Sequence, residues 1–292
     1  MKAPDFNYCC PRSIDEVCHL LDEYGSDARV LAGGQSLVPA MNLRLSSAEV
    51  LVDINRVEGL DGVGLSEDQT YVRVGALGRH AQVAASAVIR DHVPLVHQAM
   101  KYVAHPAVRN RGTTCGSLAL ADPSAEMPAC AVALNATLVL HSRRDGERQV
   151  LARAFFQGLY DTARRDDELL VEVRWPVVKP GIFVGFGEIS RRHGDFAQVG
   201  VAAQCEIKNS VVHEIDLVTF GVGATPVYAI DAGPIVHGKV ASVELAKELA
   251  AKVAASLEID TFDQPDIKRQ QARALIARVA TQMFQEAGCG NE

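Results

Sequence analysis

The chain has 292 residues, 48% hydrophobic and 22% charged, with 29 Lys and Arg against 36 Asp and Glu for a net charge of −7. That length allows two domains, or one large one, with a substantial core. The acidic balance excludes sequence-independent nucleic-acid binding, which needs a basic field to release counterions. An anionic ligand would have to be held by directed N–H groups rather than by bulk charge.

Met1 to Phe6 lacks the apolar region of a signal peptide, and no run approaches ~18 apolar residues, so a cytoplasmic location and no membrane span are expected. The seven cysteines (Cys9, Cys10, Cys18, Cys115, Cys130, Cys205 and Cys289) are scattered, with neither a CxxC pair nor ferredoxin spacing. They read as buried or incidental thiols in a reducing compartment, and no iron–sulfur cluster is expected in this chain. The nine histidines show no HExxH-like spacing, so no metal site is expected either.

In chain order, Ser13 to Tyr24 carries a helical stripe of Ile14, Val17, Leu20 and Leu21, stopped by Gly25. Ala28 to Leu31 reads as a short buried strand, and Leu37 to Arg44 as a helix. Val50 to Ile54 and Tyr71 to Ala76 read as strands, Arg79 to Ser86 and Pro94 to Tyr102 as helices. Ser124 to Leu134 reads as a helix. Thr137 to His141 and Arg148 to Leu151 form a hairpin about Asp145-Gly146, and Leu169 to Trp175 a further strand. The pattern changes at Pro176 to Gly181, where a domain boundary is placed. Beyond it, Phe183 to Ile189, Val199 to Ile207 and Val211 to Phe220 predict an antiparallel sheet, and Val243 to Ala255 and Ile267 to Ala287 amphipathic helices.

Two stretches carry the chemistry. Ala32-Gly33-Gly34-Gln35-Ser36 follows the second predicted element, and its adjacent glycines let successive N–H groups converge on one phosphate oxygen. A plain strand-to-helix turn uses the same residues. The second stretch, Arg109 to Ser117, again combines hydroxyls with small residues: Thr113, Thr114, Cys115, Gly116 and Ser117. It too is expected where a strand-like run ends or turns. Asp122 and Glu126 follow, placed to meet sugar hydroxyls. Arg109 and Arg111 read either as phosphate ligands or as ordinary surface arginines. Cys115 reads as a packing residue rather than a nucleophile, since reactivity requires a lowered pKa. Two anion cradles in an acidic chain suggest a diphosphate cofactor, FAD. No GxGxxG opens a helix after the first strand, and Pro226 breaks the nearest approach, Gly221 to Pro226, which argues against a Rossmann site. Phe196, after the Gly194 turn, reads equally as a ring packed on a flavin or as core. Candidate acids and bases do not cluster, so no catalytic residue is assigned and the cofactor is expected to carry the chemistry.

At these residues the chain resembles the FAD-binding medium subunits of molybdenum hydroxylases, nearly end to end. The resemblance runs through Phe6-Asn7-Tyr8, Ala28 to Pro39, Leu51 to Ile54, Arg109 to Ser117, Ala121 to Pro128, Arg192 to Ala197 and Gly221 to Pro226. It implies an α+β fold: a two-part PCMH-type FAD-binding domain over 1–176 (parts about 1–57 and 58–176), then a smaller C-terminal domain over 177–292 with an antiparallel sheet and helices. It implies that Ala32, Gly33, Gly34, Gln35 and Ser36, with Thr113, Thr114, Cys115, Gly116 and Ser117, hold the pyrophosphate. Glu126 matches an acidic FAD contact and Val103 an apolar residue beside the flavin. The family further implies a heterotrimer in which a large molybdopterin subunit hydroxylates an aldehyde, N-heterocycle or similar molecule. Electrons pass through the 2Fe–2S clusters of a small subunit to this FAD and on to NAD, a quinone, oxygen or another acceptor. The chain departs from the pattern at Cys115, where glycine is usual, at Phe196, where tyrosine is usual, and at Leu120, where histidine is frequent. A stand-alone FAD oxidase or reductase on the same fold, and a nucleotide-sensing protein that has lost the flavin, are the alternatives.

Overall fold

The computed structural model describes residues 2–259 and 264–288; Cys289 lies outside them. Near the N-terminus, three parallel strands lie in the order Asn7–Cys9, Val50–Asp53, Ala28–Leu31. Parallel neighbours need a crossover, and the helix Ile14–Tyr24 supplies one, burying Val17, Cys18 and Leu21. Its N-terminus is capped by the Ser13 hydroxyl, which accepts from the Glu16 N–H at 3.2 Å. The helix expected to run to Arg44 is shorter, Leu37–Asn42, because the backbone turns left-handed at Arg44 (φ 59°).

The second sheet has five antiparallel strands in the order Val63–Leu65, Tyr71–Gly75, Leu169–Pro176, Thr137–Ser142, Gly146–Leu151. Leu169–Pro176, the last of these in sequence, therefore lies at the centre and carries the fully buried Trp175. Between Gly75 and Thr137 the chain makes six short helices where three were expected: His80–Ala85, Ala87–His92, Pro94–Ala99, Pro106–Arg109, Thr114–Leu120 and Glu126–Leu134. The extra breaks have local causes. Ser86 caps the second of them by accepting from the Ile89 N–H, and Pro94 and Pro106 open the third and fourth. The last begins at Glu126 rather than Ser124, since the Ser124 N–H is taken by the Asp122 carboxylate at 2.9 Å.

The C-terminal sheet is antiparallel as expected: Ile182–Ile189, Val199–Lys208, Val211–Phe220, then the short Val227–Tyr228. Its two faces serve two cores. Val199, Val201, Ala203 and Cys205 pack with the helices Val243–Ser256 and Pro265–Glu286. Val184, Phe186, Ala202, Val218 and Phe220 face the other way, into the core of the preceding residues. Across that seam the ring of Tyr102 meets Phe186 with centroids 5.2 Å apart. The fold is α+β.

Candidate functional site

The strand Ala28–Leu31 delivers the chain into Ala32 to Ser36. Gly34 has φ +71°, a conformation side chains resist. Gly33 is small for a different reason: a Cβ there would strike the Arg111 carbonyl and lie 2.7 Å from the Gly112 Cα. The two glycine-containing stretches are therefore in backbone contact. Among the described residues, the N–H groups of Gly33, Gly34, Gln35 and Ser36 donate to no protein acceptor, while Val38 N–H already closes on the Gly34 carbonyl at 3.0 Å. Backbone donors are rarely left unpaired without a ligand or water to take them. Ser36 does not spend its hydroxyl on capping.

The second stretch joins two helices, starting at the last residue of Pro106–Arg109 and running through the N-cap Thr113 into the first turn of Thr114–Leu120, and does not end a strand as expected. It is strapped to residues 78–80, with His80 N–H donating to the Gly112 carbonyl and Thr114 N–H to the Gly78 carbonyl, each at 3.0 Å. The Thr113 hydroxyl accepts from the Gly116 N–H at 3.1 Å, and the N–H groups of Thr113 and Cys115 have no acceptor among the described residues. Thr114 is fully buried, 3.4 Å from His80 Nδ1. Burial, with Arg109 adding, pushes the His80 imidazole down to about 4, so it is neutral beneath the loop. Cys115 turns its thiol inward to the Val74 carbonyl at 3.5 Å, leaving the outer face of the loop to its backbone. Ser117 is half-buried at the next turn.

The two arginines divide. Arg109 braces the backbone from behind, donating to the Val103 and Ala104 carbonyls at 2.8 and 2.7 Å, where Ala104 sits at φ 40°. Arg111 is exposed and lines a groove of about 450 Å³ with Gly33, Gly34, Val38, Asp53 and Asn55. Sequence reasoning missed Asn55 and Arg79. The Asn55 amide donates to the Ala32 carbonyl (2.9 Å) and to Asp53 Oδ1 (2.6 Å), and its Oδ1 accepts from Arg79 Nη2 at 2.5 Å. The other Arg79 nitrogen donates to the Arg111 carbonyl. Asp53 also accepts from Tyr8 at 2.6 Å. Burial opposes its ionisation, but the hydrogen bonds from Tyr8 and Asn55 prevail and hold its carboxyl below the usual range. A positional signal existed: Asn55 follows the carboxyl end of a strand parallel to the loop-bearing one, where open sheets receive ligands.

The remaining predicted residues gather at the seam. Val103 is buried, and Gly194 packs against the adjacent Ala104 and His105. Glu126 is 8% exposed, and burial, with Asp122 adding, pushes its carboxyl up to about 7. Asp122 is tied to Ser124 and to the Tyr160 hydroxyl. Phe196 is 70% exposed, so it is not core. Glu188, unnoticed in the sequence, buries both carboxyl oxygens without a hydrogen-bond partner among the described residues, and burial with the Glu126 charge pushes it up to about 8. No cluster of metal-ligating side chains exists among the described residues.

The family pattern for the FAD binding domain in molybdopterin dehydrogenase matches residues 4–178, and that for the CO dehydrogenase flavoprotein C-terminal domain matches residues 185–284. The chain is 39% identical over 229 residues to the caffeine dehydrogenase subunit beta of Pseudomonas sp. (strain CBB1), covering 78% of this chain and 76% of that one. Among solved structures it superposes on a carbon monoxide dehydrogenase from Hydrogenophaga pseudoflava with TM-score 0.93 and 33% identity, over 99% of this chain and 100% of the other. Quinoline 2-oxidoreductase from Pseudomonas putida 86 matches with TM-score 0.92 and 35% identity, over 98% and 99%. The chain thus belongs to the FAD-binding medium subunits of the molybdenum hydroxylases, and FAD is its cofactor.

Proposed function

We propose that FAD lies with its diphosphate across the two touching loops and that the chain relays electrons from a partner's 2Fe–2S clusters to an external acceptor. The observation that carries the site is the set of unpaired N–H groups on Gly33, Gly34, Gln35 and Ser36, facing a second loop whose Thr113 and Cys115 N–H groups are also free of protein acceptors. The residues present fit the group. Directed amides replace bulk charge, Arg111 supplies a local cation in an acidic chain, and Cys115 keeps its thiol out of the cradle. In this reading Ala32, Thr114, Gly116 and Ser117 shape the backbone around the phosphates, Val103 walls the flavin side, and Glu126 acts as a polar contact at the seam. The chain is read as two units, 1–176 and 177–292, a division supported by the separate core under the C-terminal helices.

Bound FAD supplies redox chemistry between one-electron clusters and a two-electron acceptor. The protein's own part is to bind and orient it. The proposed assembly is a heterotrimer with a large molybdopterin subunit and a small 2Fe–2S subunit, acting on an aldehyde, N-heterocycle or similar small molecule, with NAD, a quinone, oxygen or another oxidant as acceptor. No described helix is long and apolar enough to cross a membrane, and the proposed location is the cytoplasm.

The test has two parts. The purified chain should show a flavin absorption spectrum, and acid extraction should release FAD; a colourless chain that cannot be reconstituted refutes the site. Co-expression with molybdenum and iron–sulfur partners should yield one stable complex, whereas substrate oxidation by this chain alone would establish a stand-alone oxidase instead.

A further inference from the structure

We propose that Asn55 and Arg79 form a clamp that fixes the spacing of the two loops and so makes the site select a diphosphate-bearing flavin over a monophosphate one. The inference rests on the FAD reading and adds to it two residues that hydrogen-bond to neither glycine of the first loop. The clamp is a continuous chain of hydrogen bonds. It starts at Tyr8, whose hydroxyl holds Asp53 at 2.6 Å. Asp53 Oδ1 then fixes Asn55 twice, through its backbone N–H at 2.9 Å and its side-chain amide at 2.6 Å. Asn55 reaches forward to the Ala32 carbonyl of the first loop at 2.9 Å, and backward to Arg79 Nη2 at 2.5 Å. Arg79 completes the chain on the Arg111 carbonyl of the second loop. Its own backbone is fixed, because its N–H donates to the Gln82 side chain at 2.9 Å.

Each end of the clamp grips a carbonyl, and this has a geometric consequence. The Ala32 carbonyl and the Gly33 N–H belong to one planar peptide and point in opposite directions. Drawing that carbonyl toward Asn55 therefore fixes the direction of the Gly33 N–H, which takes no protein acceptor among the described residues. Arg79 is suited to the task because its planar fork serves two acceptors on two segments at once. Its guanidinium is partly buried and sits beside Arg111, and both burial and that neighbour disfavour its charge. A guanidinium placed there only to add positive potential would sit better in the open groove.

A single cradle suffices for one phosphate, so binding of FMN is insensitive to the distance between cradles. Two phosphates joined through one oxygen demand that distance. The clamp should accordingly affect FAD far more than FMN. The test uses the full chain stripped of flavin, titrated with FAD and with FMN by quenching of flavin fluorescence, in wild type, Asn55→Ala, Arg79→Lys and Arg79→Ala, with a melting curve of each flavin-free protein. Asn55→Ala and Arg79→Lys keep the local charge but break the chain. Both should weaken FAD by about tenfold or more, and FMN by less than about threefold, with little change in melting temperature. Equal losses for the two flavins, or FAD affinity lost only in Arg79→Ala, would overturn the clamp; the latter would make Arg79 a simple counter-charge. If an arginine variant fails to fold, Asn55→Ala decides alone. A wild-type chain that takes up no FAD refutes the flavin reading itself, whereas variants that bind FAD as well as wild type refute only the clamp.

Discussion

Gly33 and Gly112 lie back to back: a Cβ added to Gly33 would sit 2.7 Å from the Gly112 Cα. The smallness of Gly33 thus serves contact between the loops as well as access for a phosphate. Gly33→Ala should destabilise the protein by about 1–3 kcal/mol through overpacking and reduce its flavin content. Gly33→Asp adds a negative charge to the cradle and should abolish FAD retention. Flavin-to-protein absorbance ratios and thermal melts check both. Full flavin with an unchanged melt in Gly33→Ala would show that the loops can part at no cost.

Cys115 occupies a position where glycine is usual, but its thiol lies in the core. It is 2% exposed, and burial, with Glu172 adding, pushes it up to about 12. A thiol so placed is inert. In the native protein a maleimide should label the half-buried Cys9 and Cys10 before Cys115, which should react only after unfolding. Restoring glycine by Cys115→Gly should cost about 2 kcal/mol, from lost burial and a glycine in the helix Thr114–Leu120, while the folded variant still takes up FAD. Rapid native labelling of Cys115 by peptide mapping would place the thiol outside the core.

The first loop is legible in sequence as a short apolar strand running into adjacent glycines, although a plain strand-to-helix turn uses the same residues, and only the second stretch makes it a cradle. The second is harder. Its helix has seven residues, TCGSLAL, too short for an apolar period to show, and its neighbour Pro106–Arg109 has four. A loop between two such helices looks like the end of a strand. Asn55 and Arg79 could not be found as a pair, being 24 residues apart and ordinary in type. Their meaning comes from the parallel register that sets Leu31 beside Asp53. Glu188 is concealed for a related reason: alternation marks its strand, but only the packing of the sheet on the preceding core shows that its face is buried.

Phe196 is 70% exposed, on the turn after Gly194. A ring with so little protein contact contributes little to the flavin-free fold. Phe196→Ala should shift flavin-free stability by less than about 0.5 kcal/mol. If the ring packs on the flavin, the same variant should raise the residual fluorescence of bound FAD, and Phe196→Tyr should not. A large loss of stability without flavin would assign the ring to the fold instead.

Glu188 shares a row of the C-terminal sheet with Gly200 and Phe220, and this sets the pH response. A Cβ on Gly200 would strike the Phe220 ring, so an aromatic surface adjoins the Glu188 strand position. Glu188 is held up to about 8 by burial and the Glu126 charge, and Glu126 up to about 7 by burial and Asp122. In the unfolded chain both titrate near ~4.3. From there to about pH 8 the folded state carries protons that the unfolded state has released, so stability falls as pH rises, by up to ~1.4 kcal/mol per pH unit for each carboxyl. His80 acts on the acid side: its folded value near 4 costs stability only as pH drops below the ~6.5 at which the unfolded imidazole protonates. Between pH 6.5 and 8 the two carboxyls therefore dominate among these three groups. Denaturant unfolding across that range should show wild type losing stability and Glu188→Gln losing distinctly less, because the amide removes one titrating group. Parallel curves for the two proteins would mean that water or another donor already serves Glu188, and that its carboxylate is tolerated at the seam.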